Sequence, residues 1–150
     1  MSLELKINAD IKSAMLARDA EKLEALRAVK AAILVEKTKE GATDEITVET
    51  ELKILQKLVK QRRESAEIYS QANRQDLAQT ESFDASIIET YLPRQMSEAE
   101  VIAVIKKIVA ETGATSVKEM GKVMGLAAKE LAGKADNKMI SGIVKGLLNV

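Results

Sequence analysis

Apolar residues return along this chain every third or fourth position. Leu3, Ile7, Ile11, Ala14 and Met15 keep that interval behind Ser2. Such spacing stacks side chains on one face of an α-helix, and Ser2 has the short hydroxyl that suits an N-cap. Arg18-Asp19-Ala20 interrupts the pattern, with Asp19 placed to cap a second helix. That helix is predicted to run to about Lys39, with Leu23, Leu26, Ile33 and Leu34 on one side. Glu40-Gly41-Ala42-Thr43-Asp44 reads as a loop: Gly41 suits a C′ position, and Thr43 or Thr47 can cap the next helix. The third stretch is the longest. Val48, Leu52, Leu55, Val59, Arg62, Ala66 and Tyr69 step by fours and threes, the seam of an antiparallel bundle. From Val48 to Ala72 it would extend roughly 37 Å at about 1.5 Å per residue. Asn73-Arg74 ends it, and Asp76 can cap a fourth segment through Leu77, Phe83, Ile87, Ile88 and Tyr91.

The pattern then breaks at Tyr91-Leu92-Pro93-Arg94-Gln95-Met96-Ser97, around the only proline. Proline drives the residue before it out of helical space, so a helix entering Tyr91 stops near Leu92. Four residues on, Ser97-Glu98-Ala99-Glu100 has the form of a capping box, which starts a new helix. A stop and a start set back to back mark a boundary between two helical modules, residues 1–92 and 97–150. In the second, Val101, Ile102, Ile105, Ile108 and Val109 form a stripe stopped by Gly113. Ser116-Val117-Lys118-Glu119 is a second capping box, opening a helix toward Ala132. Gly133 ends that helix, and Asp136 can cap the last one through Met139, Ile140, Ile143, Val144 and Leu147. The fold class expected is all-α: an N-terminal helical bundle followed by a small three-helix C-terminal domain.

Composition narrows the chemistry. The chain is 46% apolar but only 2% aromatic, so its packing rests on Leu, Ile, Val, Ala and Met. With no cysteine there is no disulfide, thiol nucleophile or sulfur metal site, and with no histidine there is no Ser-His triad, imidazole base or ordinary zinc site. No cofactor is implied. The N-terminus never builds the apolar core of a signal peptide, and no run approaches the roughly 18 residues of a membrane span. A cytoplasmic location is expected, with no membrane partner. Charge divides unevenly: residues 1–92 hold 14 Lys+Arg against 17 Asp+Glu, a balance of −3, and residues 93–150 hold 9 against 6, a balance of +3. An anionic partner is directed to the second module.

Two basic constellations stand out. At 100° per residue, Lys118, Lys122, Gly125 and Lys129 fall within about 60° of one another, nearly opposite Val117, Met120, Met124, Ala128 and Leu131. The last helix repeats the arrangement with Lys138, Gly142 and Lys145. Glycine inside a helix costs about 1 kcal/mol relative to alanine. The region carries four such glycines, in two G-x-x-x-G pairs: Gly121 with Gly125 and Gly142 with Gly146. Either a neighbouring helix or a phosphate backbone could come close there. Lys134 and Lys138 flank the N-terminus of the last helix, which favours anions. The second constellation is Lys53, Lys57, Lys60, Gln61, Arg62 and Arg63 on the long helix, where Arg62 holds a seam position. Its planar fork suits a carboxylate or a phosphate. Lys60–Glu64 and Arg63–Glu67 are spaced as neutralising i,i+4 pairs. Glu49/Glu51 and Glu98/Glu100 read as helix-start charges rather than catalytic dyads. So few aromatics leave little for stacking on single-stranded bases, and any nucleic-acid contact would read the shape and phosphates of a folded RNA.

Five stretches carry a resemblance: Leu26-Arg27-Ala28-Val29-Lys30, Leu55 to Ser65, Tyr91-Leu92-Pro93, Gly121-Lys122-Val123-Met124-Gly125 and Gly133-Lys134-Ala135-Asp136. In this order and at about this spacing they resemble the YqeY family, over essentially the whole chain. The resemblance implies a C-terminal domain similar to the tail domain of GatB in the glutamyl/aspartyl-tRNA amidotransferase, which engages tRNA. It also brings the label of a carbon–nitrogen ligase with glutamine as amido donor. The carboxylate-activating cradle and the ammonia-releasing amidase of that enzyme have no counterpart among these motifs. The resemblance thus implies a tRNA-associated accessory protein with no catalytic residues and no metal. The resemblance carries contact roles to Gly121, Lys122, Gly125, Lys134 and Lys138; helical geometry adds Lys118 and Lys129 to that face, and Lys57, Lys60, Arg62 and Arg63 form a secondary basic cluster. The protein's partner would be tRNA or a tRNA-handling complex. Two alternatives stand beside it: a protein-interaction module docking through residues 48–72, and an amidotransferase component active only with partner subunits.

Overall fold

The computed structural model describes residues 2–39 and 45–149. Gly41 and Thr43, expected as C′ residue and possible cap, lie outside the described residues. Seven α-helices and one 3₁₀ turn form the fold, with no strand among the described residues. The class is all-α, as expected. The chain divides into two compact units, Met1–Leu92 and Pro93–Val150.

The first unit holds α1 (Leu3–Leu16), α2 (Ala20–Lys37), α3 (Val48–Gln71) and α4 (Gln75–Glu89). Ser2, Asp19 and Thr47 cap the first three, each side chain accepting a backbone N–H of the first turn. Leu3, Ile7, Ala14, Leu26, Val29, Ile33, Leu55 and Ile88 meet in one core. Three residues assigned to the apolar stripes point to solvent instead: Met15, Leu34 and Val48 are exposed. Met15 and Leu34 sit at the edges of their stripes, and on α2 the core is centred on Val29. Val48, the first residue of α3, turns its side chain away from the core that Ile46 and Leu55 pack on. Asp76 is not the cap of α4. Asn73 takes a left-handed turn (φ 62) and the helix starts directly after Arg74. Asp76 therefore lies inside the first turn, bonded to the Arg74 guanidinium at 3.2 Å.

The second unit contains α5 (Glu98–Thr112), the 3₁₀ turn (Val117–Glu119), α6 (Met120–Glu130) and α7 (Asn137–Leu148), and each of the three α-helices packs on the other two. Ser97 and Glu100 form the reciprocal capping box, and Gly113 ends α5 in the left-handed region at φ 68. Val101, Ile105, Ile108, Val123, Ala127, Leu131, Ile140, Val144 and Leu148 fill the core. The segment after the proline belongs to this unit. The Gln95 side-chain amide donates to Pro93 O at 3.0 Å and to Gly133 O at 2.7 Å, and Met96 N–H donates to Lys134 O at 2.9 Å. These bonds join the entry of α5 to the corner between α6 and α7.

Candidate nucleic-acid interface

Ser116 opens a 3₁₀ turn before α6 rather than the α-helix itself. Glu119 folds back so that its carboxylate accepts the N–H groups of Thr115 at 2.6 Å and Ser116 at 3.3 Å. The tighter turn shifts the phase of the helix behind it. Val117 is exposed, and the apolar face of α6 is made by Val123 and Ala127, with Met120 and Met124 packed beside them. The stripe expected through Val117 and Ala128 is corrected accordingly. Lys122, Gly125 and Lys129 still fall within about 40° of the direction opposite the observed core, and all three are exposed. Lys118 lies in the 3₁₀ turn, also exposed, while Gly121 sits on the flank of this edge.

On α7 the buried positions are Ile140, Val144 and Leu148, which directs Lys138, Gly142 and Lys145 outward. Asp136 caps the helix by accepting Lys138 N–H at 3.1 Å, and Lys134 is exposed in the corner before it. In a bundle of three mutually packed helices, positions opposite the core point in different directions. The lysines of α6 and those of α7 therefore form two edges, with Lys134 in the corner that joins the helices.

A Cβ built on Gly121, Gly125, Gly142 or Gly146 meets nothing within 4 Å. Close packing against a helix of the same unit, one of the two readings of these pairs, does not occur. The glycines leave bare backbone beside the lysines. Among the described residues, Lys118, Lys122, Lys129, Lys134, Lys138 and Lys145 form no ion pair, while Arg94 pairs with Glu100 at 2.7 Å. Several carboxylates of the unit are occupied with backbone: Glu100 accepts Ser97 N–H, Glu119 holds the 3₁₀ turn and Asp136 caps α7. Bonding to Arg94, then to Ser97, holds the Glu100 carboxyl below the usual range.

The second constellation divides. Arg62, 30% exposed, sits 3.4 Å from Glu81 of α4, the structural ion pair its seam position allowed. Arg63 reaches Glu89 of α4 at 3.0 Å. The Arg63–Glu67 pairing along α3 is thus replaced by one between helices, because α4 packs along α3 and brings a carboxylate under the guanidinium fork. Lys57 and Lys60 are exposed, and Lys53 pairs with Glu49 at 3.2 Å. Sequence reasoning missed Asp84, the buried charged side chain among the described residues, at 4% exposure. A signal was present: Leu77, Asp84 and Ile88 share one stripe of α4. Among the described residues no group of three or more acidic side chains is placed to hold a metal.

Residues 4–148 match the family described as Yqey-like protein. The chain belongs to the YqeY family. This YqeY chain is 38% identical over 86 residues to a protein of Meyerozyma guilliermondii, "Altered inheritance of mitochondria protein 41, mitochondrial". The matched stretch covers 57% of the chain and 44% of that relative's own length. The relative's name states a compartment and no chemistry. No helix among the described residues is long and apolar enough to cross a membrane.

Proposed function

We propose that this YqeY chain is a tRNA-associated accessory protein, related through its second unit to the tRNA-engaging tail of the amidotransferase and without catalysis of its own. The contact surface is the α6 edge of Lys118, Gly121, Lys122, Gly125 and Lys129, continued through Lys134 and Lys138. One observation carries the reading: these exposed lysines have no carboxylate partner among the described residues, and they stand beside helix backbone stripped of side chains. Lysine ammonium groups release counterions from phosphates, and glycine lets the strand approach. The arginines of α3 are bound to α4 carboxylates and serve the first unit instead. We place the protein in the cytoplasm; a mitochondrial location, as in the relative's name, would leave this surface chemistry unchanged.

The test is binding of labelled bulk tRNA, with duplex DNA as control, across a salt series. A tRNA preference is expected, with log affinity falling by about 0.7–0.9 per phosphate contacted for each unit of log salt. Lys122→Glu with Lys129→Glu should lower affinity about tenfold or more and flatten that slope by about two contacts. Absence of binding at low salt, or an unchanged slope in the variant, would defeat the reading. Equal affinity for DNA would reduce it to charge alone.

A further inference from the structure

Between α5 and α7 lies a groove of about 470 Å³ within the second unit. Ile102 of α5 and Met139, Ile143 and Leu147 of α7 give it aliphatic walls, and Gly142 and Gly146 line it without side chains. Glu98 and Lys138, each in the first turn of its helix, stand at one end. From Lys138 to Leu147 the groove follows α7 for about 14 Å, some two and a half helical turns. Neither glycine is required by the packing of the unit, since a Cβ at either position meets nothing. Their effect is to let another backbone come down between the aliphatic walls. Nucleobases would find no aromatic ring to stack on there. The charge on the α7 side is specific in sign: Lys138 lines the groove and Lys145 lies on the adjoining edge, both without an ion pair among the described residues.

We propose that this groove docks an amphipathic helix of a protein partner. Its apolar anchors recur at i, i+4 and i+7, with small residues where they cross Gly142 and Gly146, and carboxylates line the side that meets α7. This is helix-in-groove recognition, with the lysines selecting an acidic partner. It shares Lys138 with the RNA reading, whose principal edge is on α6, while Ile102, Gly142, Ile143, Gly146 and Leu147 belong to the groove alone.

Two synthetic helical peptides of about 14 residues test it, with the same Ala/Leu anchor face and either Glu or Lys flanks. Fluorescence anisotropy against the full chain should give binding of the Glu-flanked peptide at least about tenfold tighter than the Lys-flanked one. Gly142→Leu with Gly146→Leu fills the groove, and should weaken the acidic peptide by about tenfold or more while the melting temperature holds or rises and tRNA binding is kept. Lys138→Glu, which leaves the groove open, should move the preference toward the Lys-flanked peptide. Equal or absent binding of the two peptides overturns the proposal, as does retention of acidic-peptide binding by the leucine variant or of the acidic preference by Lys138→Glu. Loss of tRNA binding in the leucine variant with the peptide still bound would assign the groove to RNA, and also overturns it.

Discussion

Asp84 occupies a place on α4 where the stripe through Leu77 and Ile88 would accept an aliphatic side chain. Burial pushes its carboxyl above the usual aspartate range; Arg62 from α3 pulls it back, while Glu24 and Glu21 from α2 and Glu81 on α4 itself push it further up. A carboxyl raised in the folded state binds its proton more tightly there than in the unfolded chain. Its contribution to stability is complete below the ordinary aspartate range and is lost as pH rises through the raised value. Asp84→Asn, which keeps the shape and removes the titration, should match the parent in acid and gain on it by neutral pH. Urea unfolding of both proteins from pH 4 to 8 checks this, and a difference independent of pH would show that burial does not govern the group. Glu100 behaves oppositely. Its lowered carboxyl stabilises the capping box above the ordinary glutamate range, and that contribution disappears as pH falls through the lowered value.

Among the elements, the start of α5 is held from a distance. Gln95 spans Pro93 and Gly133, and Met96 N–H reaches Lys134 O, so the stretch around Arg94 is fastened although the Arg94 side chain is exposed. Gln95→Ala removes two hydrogen bonds, each contributing about 0.5–1.5 kcal/mol. Tryptic cleavage after Arg94 under native conditions should accelerate roughly tenfold, since cleavage follows the population of the opened segment. Unchanged cleavage would mean the segment is held by packing alone. This tie was not legible beforehand, because a glutamine beside a proline carries no periodic signal. Ser2, Asp19, Thr47, Ser97, Gly113 and Asp136 were legible: each acts on backbone within one turn, where local chemistry decides. The failures have longer-range causes. Asp76 lost its capping place to the left-handed turn at Asn73, and Val117 left the apolar face because a 3₁₀ turn precedes α6. Arg63 found Glu89 rather than Glu67 once α4 lay beside it.

For the molecule as a whole, each unit closes its own core of aliphatic side chains. Chains of residues 1–92 and 93–150, made separately, should each show helical circular dichroism and a cooperative melt. Failure of the second fragment to fold, with the first intact, would make the N-terminal unit necessary to the second. At this scale the lysines and glycines of α6 and α7 could be grouped by helical angle from the chain alone, since Lys122, Gly125 and Lys129 need only one helix to share a side. Whether the glycines met a neighbour could not be known until three helices were in place, and neither could the α5–α7 groove, which needs Ile102 opposite Ile143.

The open space above Gly121 also makes the protein unusually convenient to watch. The chain contains no cysteine and no tryptophan. Gly121→Cys would therefore create a unique thiol on a helix flank where the new side chain displaces nothing. A dye or nitroxide attached there would sit beside the Lys122 edge against a silent background. It would report the arrival of an RNA as quenching or spin broadening, independently of any enzymatic readout.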